Sequence, residues 1–329
     1  MDLTPSDEQA MVADMVRRFL ADRYDATTMA RGPMSPVNWQ ALGELGLFSL
    51  ILPEAAGGMG GDAAEIMIVG EELGRALAIT PFAEGVVLCG RALAGADPWA
   101  ERLARGDASL AFARGGTLAQ GGATGAVGIV RDGMAAAAIV LLSHGGDAAV
   151  IDADSPGVIR TPVRLADGSM AADIRFDGAP AQPLAIAPND LAVAITLAEL
   201  AILAELVGAM STLLDLTIDY VRQRHQFGKP IGTFQAVQHR CARLYTLVEQ
   251  SRSLLIKAAL VEANAREKAV ATAKAYICDA ALTVAEGAVQ LHGGMGVTDE
   301  LAVGRGLRRV LLLSRLYGGG IAARAALAA

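Results

Sequence analysis

Cysteine is scarce in this 329-residue chain: Cys89, Cys241 and Cys278 stand far apart, without CxxC or Cys/His spacing. Neither a disulfide framework nor a zinc site is therefore indicated, and buried thiols are the simpler reading. The four histidines, His144, His225, His239 and His292, share no ligand spacing, so each reads as solvated or internally satisfied, with no metal expected. Basic residues form no runs and the net charge is −7, which leaves nucleic acid and anionic membranes without an electrostatic footprint. No uncharged apolar stretch approaches the ~20 residues that span a bilayer, and Met1 to Glu8 lacks the basic and apolar regions of a signal peptide, so a cytoplasmic protein is expected. Acids are missing locally as well, because Leu301 to Ala329 contains no Asp, Glu, His or Cys.

What is abundant is aliphatic. Hydrophobic residues make up 53% of the chain and aromatics only 4%, the balance of an alanine- and leucine-rich helical protein with a large core and room for two or three domains. Thr4 or Ser6 can cap a first helix with Pro5 in its first turn, and Met11, Met15, Val16, Phe19 and Leu20 recur at helical spacing. Similar patterns run around Trp39 to Phe48 and Ala64 to Leu77, and Gly57 to Gly61 reads as a loop between them. From about Ala108 the texture changes to short apolar runs, such as Ala138 to Leu142 and Ala149 to Ile151, separated by Gly, Asp and Pro; Asp173 to Gly178 alternates like a half-buried strand. After the cap candidates Asn189 and Asp190, a pattern apolar nearly all round marks a buried central helix. Further helices are expected at about Phe234 to Ala265, Glu267 to Leu291 and Val303 to Leu316, which together make a four-helix bundle. The expected division is a helical domain at 1–107, a small β-domain at 108–188 and the bundle at 189–329, a mainly α fold.

Two segments carry most information. Arg222-Gln223-Arg224-His225-Gln226-Phe227-Gly228-Lys229-Pro230-Ile231-Gly232-Thr233-Phe234-Gln235 closes one long helix and opens the next, and Gln290-Leu291-His292-Gly293-Gly294-Met295-Gly296 closes a third. In this order and spacing they resemble the FAD-binding segments of acyl-CoA dehydrogenases. The resemblance extends over most of the chain, from Arg18 to Asp25 through Glu44 to Leu47 and Gly57 to Gly61 to Thr298-Asp299-Glu300-Leu301-Ala302-Val303-Gly304. The resemblance is nearest to the small subunits of two-chain enzymes such as pimeloyl-CoA dehydrogenase. It implies the acyl-CoA dehydrogenase fold with a truncated middle β-domain, and FAD as cofactor. It further implies an acyl-CoA substrate desaturated in a β-oxidation-type step, an electron-accepting flavoprotein, and assembly as a heterotetramer with a paralogous chain or as a homo-oligomer. By resemblance, Arg224, Gln226 and Phe227 reach the pyrophosphate and adenosine of a cofactor held mainly by the neighbouring subunit, with Gln235 close by and Gln290, Gly293 and Gly294 completing the set. An arginine fork suits two phosphates, and glycine lets backbone approach a ligand. Where relatives carry a Thr-Glu-Pro-like segment, this chain has Leu110 to Thr117, and the aromatic-Thr strand that cradles the flavin ring is missing.

Desaturation at Cα–Cβ needs a base for the α-proton, and relatives use a glutamate. Counting from Gln290, its position falls on Tyr317 or, with a one-residue slip, Gly318, and neither is a carboxylate. The alternative position of some members falls on Ala198; Glu199 follows it, but one residue turns a helical side chain by about 100°. Glu199 therefore reads as a carboxylate paired with an arginine, and Glu205 as a buried residue near a crossing at Gly208. No catalytic residue is assigned. The expected role is that of a base-lacking subunit of a heteromeric acyl-CoA dehydrogenase. A self-sufficient enzyme with an unorthodox base and a non-redox assembly protein are the alternatives.

Overall fold

The computed structural model describes residues 6–24, 32–93, 98–120, 122–298 and 300–328; Thr4, Pro5, Asp25 and Asp299 lie outside the described residues. Helices come first: α1 (Asp7–Arg23), α2 (Pro36–Glu44), α3 (Leu47–Ile51), α4 (Ala63–Arg75), a π-helical stretch (Phe82–Leu88) running into α5 (Cys89–Ala92), and α6 (Trp99–Ala104). Eight strands follow: β1 (Leu110–Arg114), β2 (Thr117–Ala119), β3 (Gly122–Val130), β4 (Ala138–Leu142), β5 (Ala148–Asp152), β6 (Val158–Arg164), β7 (Met170–Ala179) and β8 (Gln182–Leu184). The remainder is α7 (Pro188–Gln223), the short strands β9 (His225–Gln226) and β10 (Lys229–Pro230), α8 (Gln235–Leu260), α9 (Ala263–His292), α10 (Ala302–Leu313) and α11 (Gly319–Ala328). By contacts the chain forms two compact units, residues 1–31, 67–78 and 199–329 in one, and 32–66 and 79–198 in the other.

The second unit holds the strands in two four-stranded sheets, ordered β1-β4-β5-β8 and β2-β3-β7-β6, in which only β1 with β4 is parallel. Their facing sides close on one core, with Ala111, Ile139, Leu141 and Ile151 from the first sheet against Ala123, Val130, Ile174 and Phe176 from the second. The alternation expected at Asp173 to Gly178 is the inward and outward pattern of β7. The glycine loop at 57–61 covers the end of α3. Met59, Gly60 and Gly61 donate backbone N–H groups to the carbonyls of Ser49, Leu52 and Leu50, supplying partners for a helix end that would otherwise lack them. It is the loop expected.

In the first unit, Ser6 caps α1 in a reciprocal box with Gln9. Buried α7 carries the packing: α4 crosses it where a Cβ on Gly74 would overlap the Glu205 carbonyl and one on Gly208 would overlap the Glu71 carbonyl. Only glycine permits that approach. α7 is long and apolar enough to cross a membrane, but 72% of its most apolar window is buried inside the protein, the position of a core helix. Charged side chains tie the surrounding helices. Arg17 of α1 grips Glu72 of α4 with two bonds, and Arg252 of α8 reaches Glu71 and Ser211. Glu205 is buried as expected and pairs with Arg309 of α10 at 2.7 Å.

Three boundaries differ from expectation. α7 begins at Pro188, whose fixed φ suits the first helical turn, so Asn189 and Asp190 lie inside the helix and are not its cap. α8 and α9 separate at Val261 and Glu262, both extended, four residues before the expected break, because apolar periodicity continues through Ala259 and Val270. The C-terminal part carries five helices, α7 to α11, in place of four. The last helix was expected to end at Leu316, whereas Gly318 and Gly319 (φ 79° and 59°) only turn the chain, and the alanine-rich sequence after them resumes a helix.

Candidate functional site

The two informative segments meet. Tyr220, one turn before Arg224 on α7, stacks on His292 at the end of α9 with ring centroids 4.3 Å apart, and its hydroxyl reaches the His292 carbonyl at 3.4 Å. His292 is buried and Nδ1 is 2.8 Å from the Ala288 carbonyl oxygen, so this histidine is internally satisfied. Immediately after it, Gly293 turns the backbone with φ 64°, and a Cβ on Gly293 or Gly294 would meet nothing within 4 Å. That stretch of peptide is bare and open.

On the α7 side the chain folds into a two-residue hairpin. Gln226 pairs with Lys229 and His225 with Pro230, and the central residues Phe227 and Gly228 both have positive φ (54° and 80°), the requirement of the tightest hairpin turns. The Arg224 backbone is pinned from both directions: its N–H donates to Tyr220 and its carbonyl accepts from Ile231, each at 2.8 Å. Its side chain is exposed and has no hydrogen bond or ion pair among the described residues. Phe227 is 91% exposed and meets Phe234 only edge-on at 6.2 Å, while Lys229 lies 4.5 Å from the Phe234 ring. A large apolar ring on a backbone conformation that L-residues avoid is a recurrent mark of a functional position. Gln226, Gln235 and Gln290 are exposed.

The position at which the resemblance would place a base is built differently. Between α10 and α11, Tyr317 takes a left-handed conformation (φ 52°, ψ 34°), and its carbonyl accepts from Lys274 Nζ at 2.8 Å. The same ammonium pairs with Glu199 at 2.9 Å and lies 5.7 Å from the Tyr317 ring. Glu199 is thus paired, with a lysine in place of the expected arginine. The Lys274 side chain is 8% exposed and that of Glu199 20%, so the pair is largely removed from water. Gly318 has φ 79°, and a Cβ there would stand 2.5 Å from Ala322 Cβ. Next to Lys274, burial pushes the Cys278 thiol up to about 11, the lysine charge opposing that shift. Cys89, fully buried, is likewise pushed well above the usual thiol range by desolvation.

Sequence reasoning missed Tyr220 and Lys274. Tyr220 had a faint signal, since i and i+4 share a helix face with Arg224. Lys274 had a clearer one, as the lone Lys or Arg between Lys268 and His292, set in an apolar stretch of α9. In the other unit, β3 is a full nine-residue strand without an aromatic residue, Ile129 is exposed near its end, and Arg131 just beyond it lies 3.6 Å from Glu84 of the π-helical stretch.

Residues 6–95 match the N-terminal domain of acyl-CoA dehydrogenases and residues 193–325 match the C-terminal domain. Acyl-CoA dehydrogenase IpdE2 of Mycobacterium tuberculosis is 32% identical over 91% of this chain and 89% of its own length. Among solved structures, a chain of the ChsE4-ChsE5 complex from Mycobacterium tuberculosis superposes with a TM-score of 0.88 at 26% identity, covering 100% of this chain and 98% of that one. An FAD complex of PigA has the same fold, with a TM-score of 0.87 at 22% identity over 100% of this chain and 98% of that chain. The chain belongs to the acyl-CoA dehydrogenase family, and its cofactor is FAD.

Proposed function

We propose that this chain is the base-lacking subunit of a heteromeric, FAD-dependent acyl-CoA dehydrogenase, completing a cofactor site whose catalytic carboxylate and flavin-ring pocket belong to a paralogous partner. The observation that carries this reading is the state of the base position. The turn there is made by Tyr317 and Gly318, with Gly319 and Gly320 opening α11, and the nearby carboxylate, Glu199, is committed to Lys274. A base must be free to take a proton from substrate. Lys274 cannot serve either, because Glu199 and the Tyr317 carbonyl already occupy it.

The nucleotide-end residues fit the cofactor chemically. Arg224 offers a guanidinium without a partner among the described residues for a pyrophosphate, Gly293 and Gly294 offer open backbone, Gln226, Gln235 and Gln290 offer amides, and Phe227 offers an apolar face for adenosine. A flavin held there would supply a hydride acceptor for the β-carbon of the acyl group, with the α-proton left to a base on the proposed partner. The chain's own share is to hold the nucleotide end and fix its orientation. The similarity to a chain of a solved two-component complex supports a heteromeric role.

The test is turnover. Purified alone, the protein is expected not to reduce a dye acceptor with any saturated acyl-CoA, and co-expression with the partner is expected to yield activity with about one FAD per heterodimer. Robust turnover by the lone chain would overturn the proposal and direct attention to Glu199→Gln.

A further inference from the structure

Two residues outside the set that the resemblance assigns join the halves of the candidate site. Tyr220 of α7 and His292 at the end of α9 stack with ring centroids 4.3 Å apart, and each is also tied to the segment beside it. On the α7 side, the Tyr220 carbonyl accepts the Arg224 N–H at 2.8 Å, and the Arg224 carbonyl accepts from Ile231 at the same distance. The base of the hairpin therefore hangs from Tyr220. On the α9 side, the Tyr220 hydroxyl donates to the His292 carbonyl at 3.4 Å, a long bond to a helix end that otherwise lacks a partner.

His292 is fixed from three directions. A carbonyl only accepts, so the 2.8 Å contact with Ala288 puts the ring proton on Nδ1 and sets the orientation of the ring. One ring face takes Tyr220. The turn that follows then folds back so closely that a Cβ on Gly296 would stand 3.0 Å from His292 Cβ and 2.7 Å from the Val289 carbonyl oxygen. The open peptide at Gly293 and Gly294 is thus an arch with both feet, His292 and Gly296, anchored. Gly293 takes φ 64° and ψ −147°, a conformation left almost entirely to glycine, and its N–H donates to the Gln290 carbonyl. Groups that open to solvent cannot set their own spacing. A site divided between two helices gains affinity when its halves are placed before the ligand arrives, because the cost of ordering them does not fall on binding.

We propose that Tyr220 and His292 are positioning residues, a stacked clamp that holds the Arg224 hairpin and the Gly293–Gly294 arch at a fixed separation, ready for the nucleotide end of FAD. Both act through the backbone they hold, and the proposal rests on the reading of this chain as half of a flavin site. Two measurements separate the clamp from that reading. In hydrogen exchange of the full-length chain alone, Tyr220→Leu is expected to speed exchange at the Arg224, Ile231 and Gly293 amides at least tenfold, while Tyr220→Phe, which keeps the stack, stays within threefold of normal. FAD titrated into the flavin-stripped assembled complex is expected to bind at least tenfold more weakly to Tyr220→Leu and to His292→Ala, and within threefold of normal to Tyr220→Phe. The double variant Tyr220→Leu with His292→Ala should bind no more weakly than the worse single one, because both remove the same contact. Residues that served folding alone would lower stability and leave the FAD affinity of the folded complex unmoved. FAD affinity unchanged in Tyr220→Leu, or losses that add in the double variant, overturn the proposal. Should Tyr220→Leu not assemble, His292→Ala against Tyr220→Phe makes the same comparison. If the unaltered complex holds no FAD, the functional reading falls, and exchange rates unchanged in Tyr220→Leu then overturn the clamp as well.

Discussion

Helix α9 touches two regions with opposite treatment of their polar groups. At its C-terminal end, Arg224, Gln290 and the Gly293 and Gly294 backbone stand open, and Phe227 projects on a strained backbone. At Lys274, eighteen residues and therefore about 27 Å back along the helix, a buried ammonium donates to both Glu199 and the Tyr317 carbonyl. Open polar groups on a rigid frame await a ligand, whereas paired ones fix a loop. On the proposed reading, the open region is for binding and the closed one is structural. The difference is what the proposal of a half-site without the chemistry expects.

The largest effect should come from the closed region. Lys274→Met leaves Glu199 largely buried without its partner and frees the Tyr317 carbonyl. Removing one member of a fully buried pair costs about 3–5 kcal/mol, and partial exposure of Glu199 lowers the expected loss to roughly 2–4 kcal/mol. Urea unfolding of the full chain measures it, and faster hydrogen exchange at Gly318 and Gly319 should accompany it. The double variant Lys274→Met with Glu199→Leu should recover most of the loss, because two neutral side chains avoid the desolvation of a lone charge. Failure of the double variant to recover would show that the bond to Tyr317, and not the charge pair, holds this region.

Arg224→Ala tests the open region and should reverse the pattern. Folding stability is expected to move by less than about 0.5 kcal/mol, as for other exposed positions. FAD affinity in the assembled complex should fall by about 1.5–3 kcal/mol, roughly ten- to hundredfold, for the loss of a charge-assisted bond to phosphate. Flavin occupancy at limiting FAD is the measurement. Unchanged occupancy would make Arg224 an ordinary surface residue and erase the contrast between the regions.

The contrast was half legible in the sequence. Periodicity identified the buried α7, the strand texture of the middle region and the capped α1, because those patterns state directly which face is buried. Arg224, Phe227, Gly293 and Gly294 were singled out by the resemblance that their two short segments carry, and the structure leaves all four exposed at helix ends. What could not be read was pairing across the fold. Lys274 and Glu199 are 75 residues apart, and nothing in either stretch names the other. The same holds for Tyr220 and His292, whose contact brings the two segments together. Glycines misled where they change direction without ending a helix, as at Gly318 and Gly319 before α11.

The smallest effect, and the finest test, concerns Phe227. A left-handed backbone costs a residue with a bulky side chain about 1–2 kcal/mol, while asparagine tolerates it by bonding locally. Phe227 recovers little of that cost by packing, since its ring is 91% exposed and meets Phe234 only at an edge. Phe227→Asn should therefore raise the stability of the lone chain by about 0.5–1 kcal/mol, with the hairpin at Gln226 and Lys229 intact. In the assembled complex the same substitution removes the apolar face offered to adenosine, and flavin occupancy should fall. A gain in stability joined to a loss of flavin is the signature of a residue kept for its ligand at the expense of its own fold. If Phe227→Asn instead destabilised the lone chain, the ring would be supporting the hairpin, and the open region would be open for a structural reason.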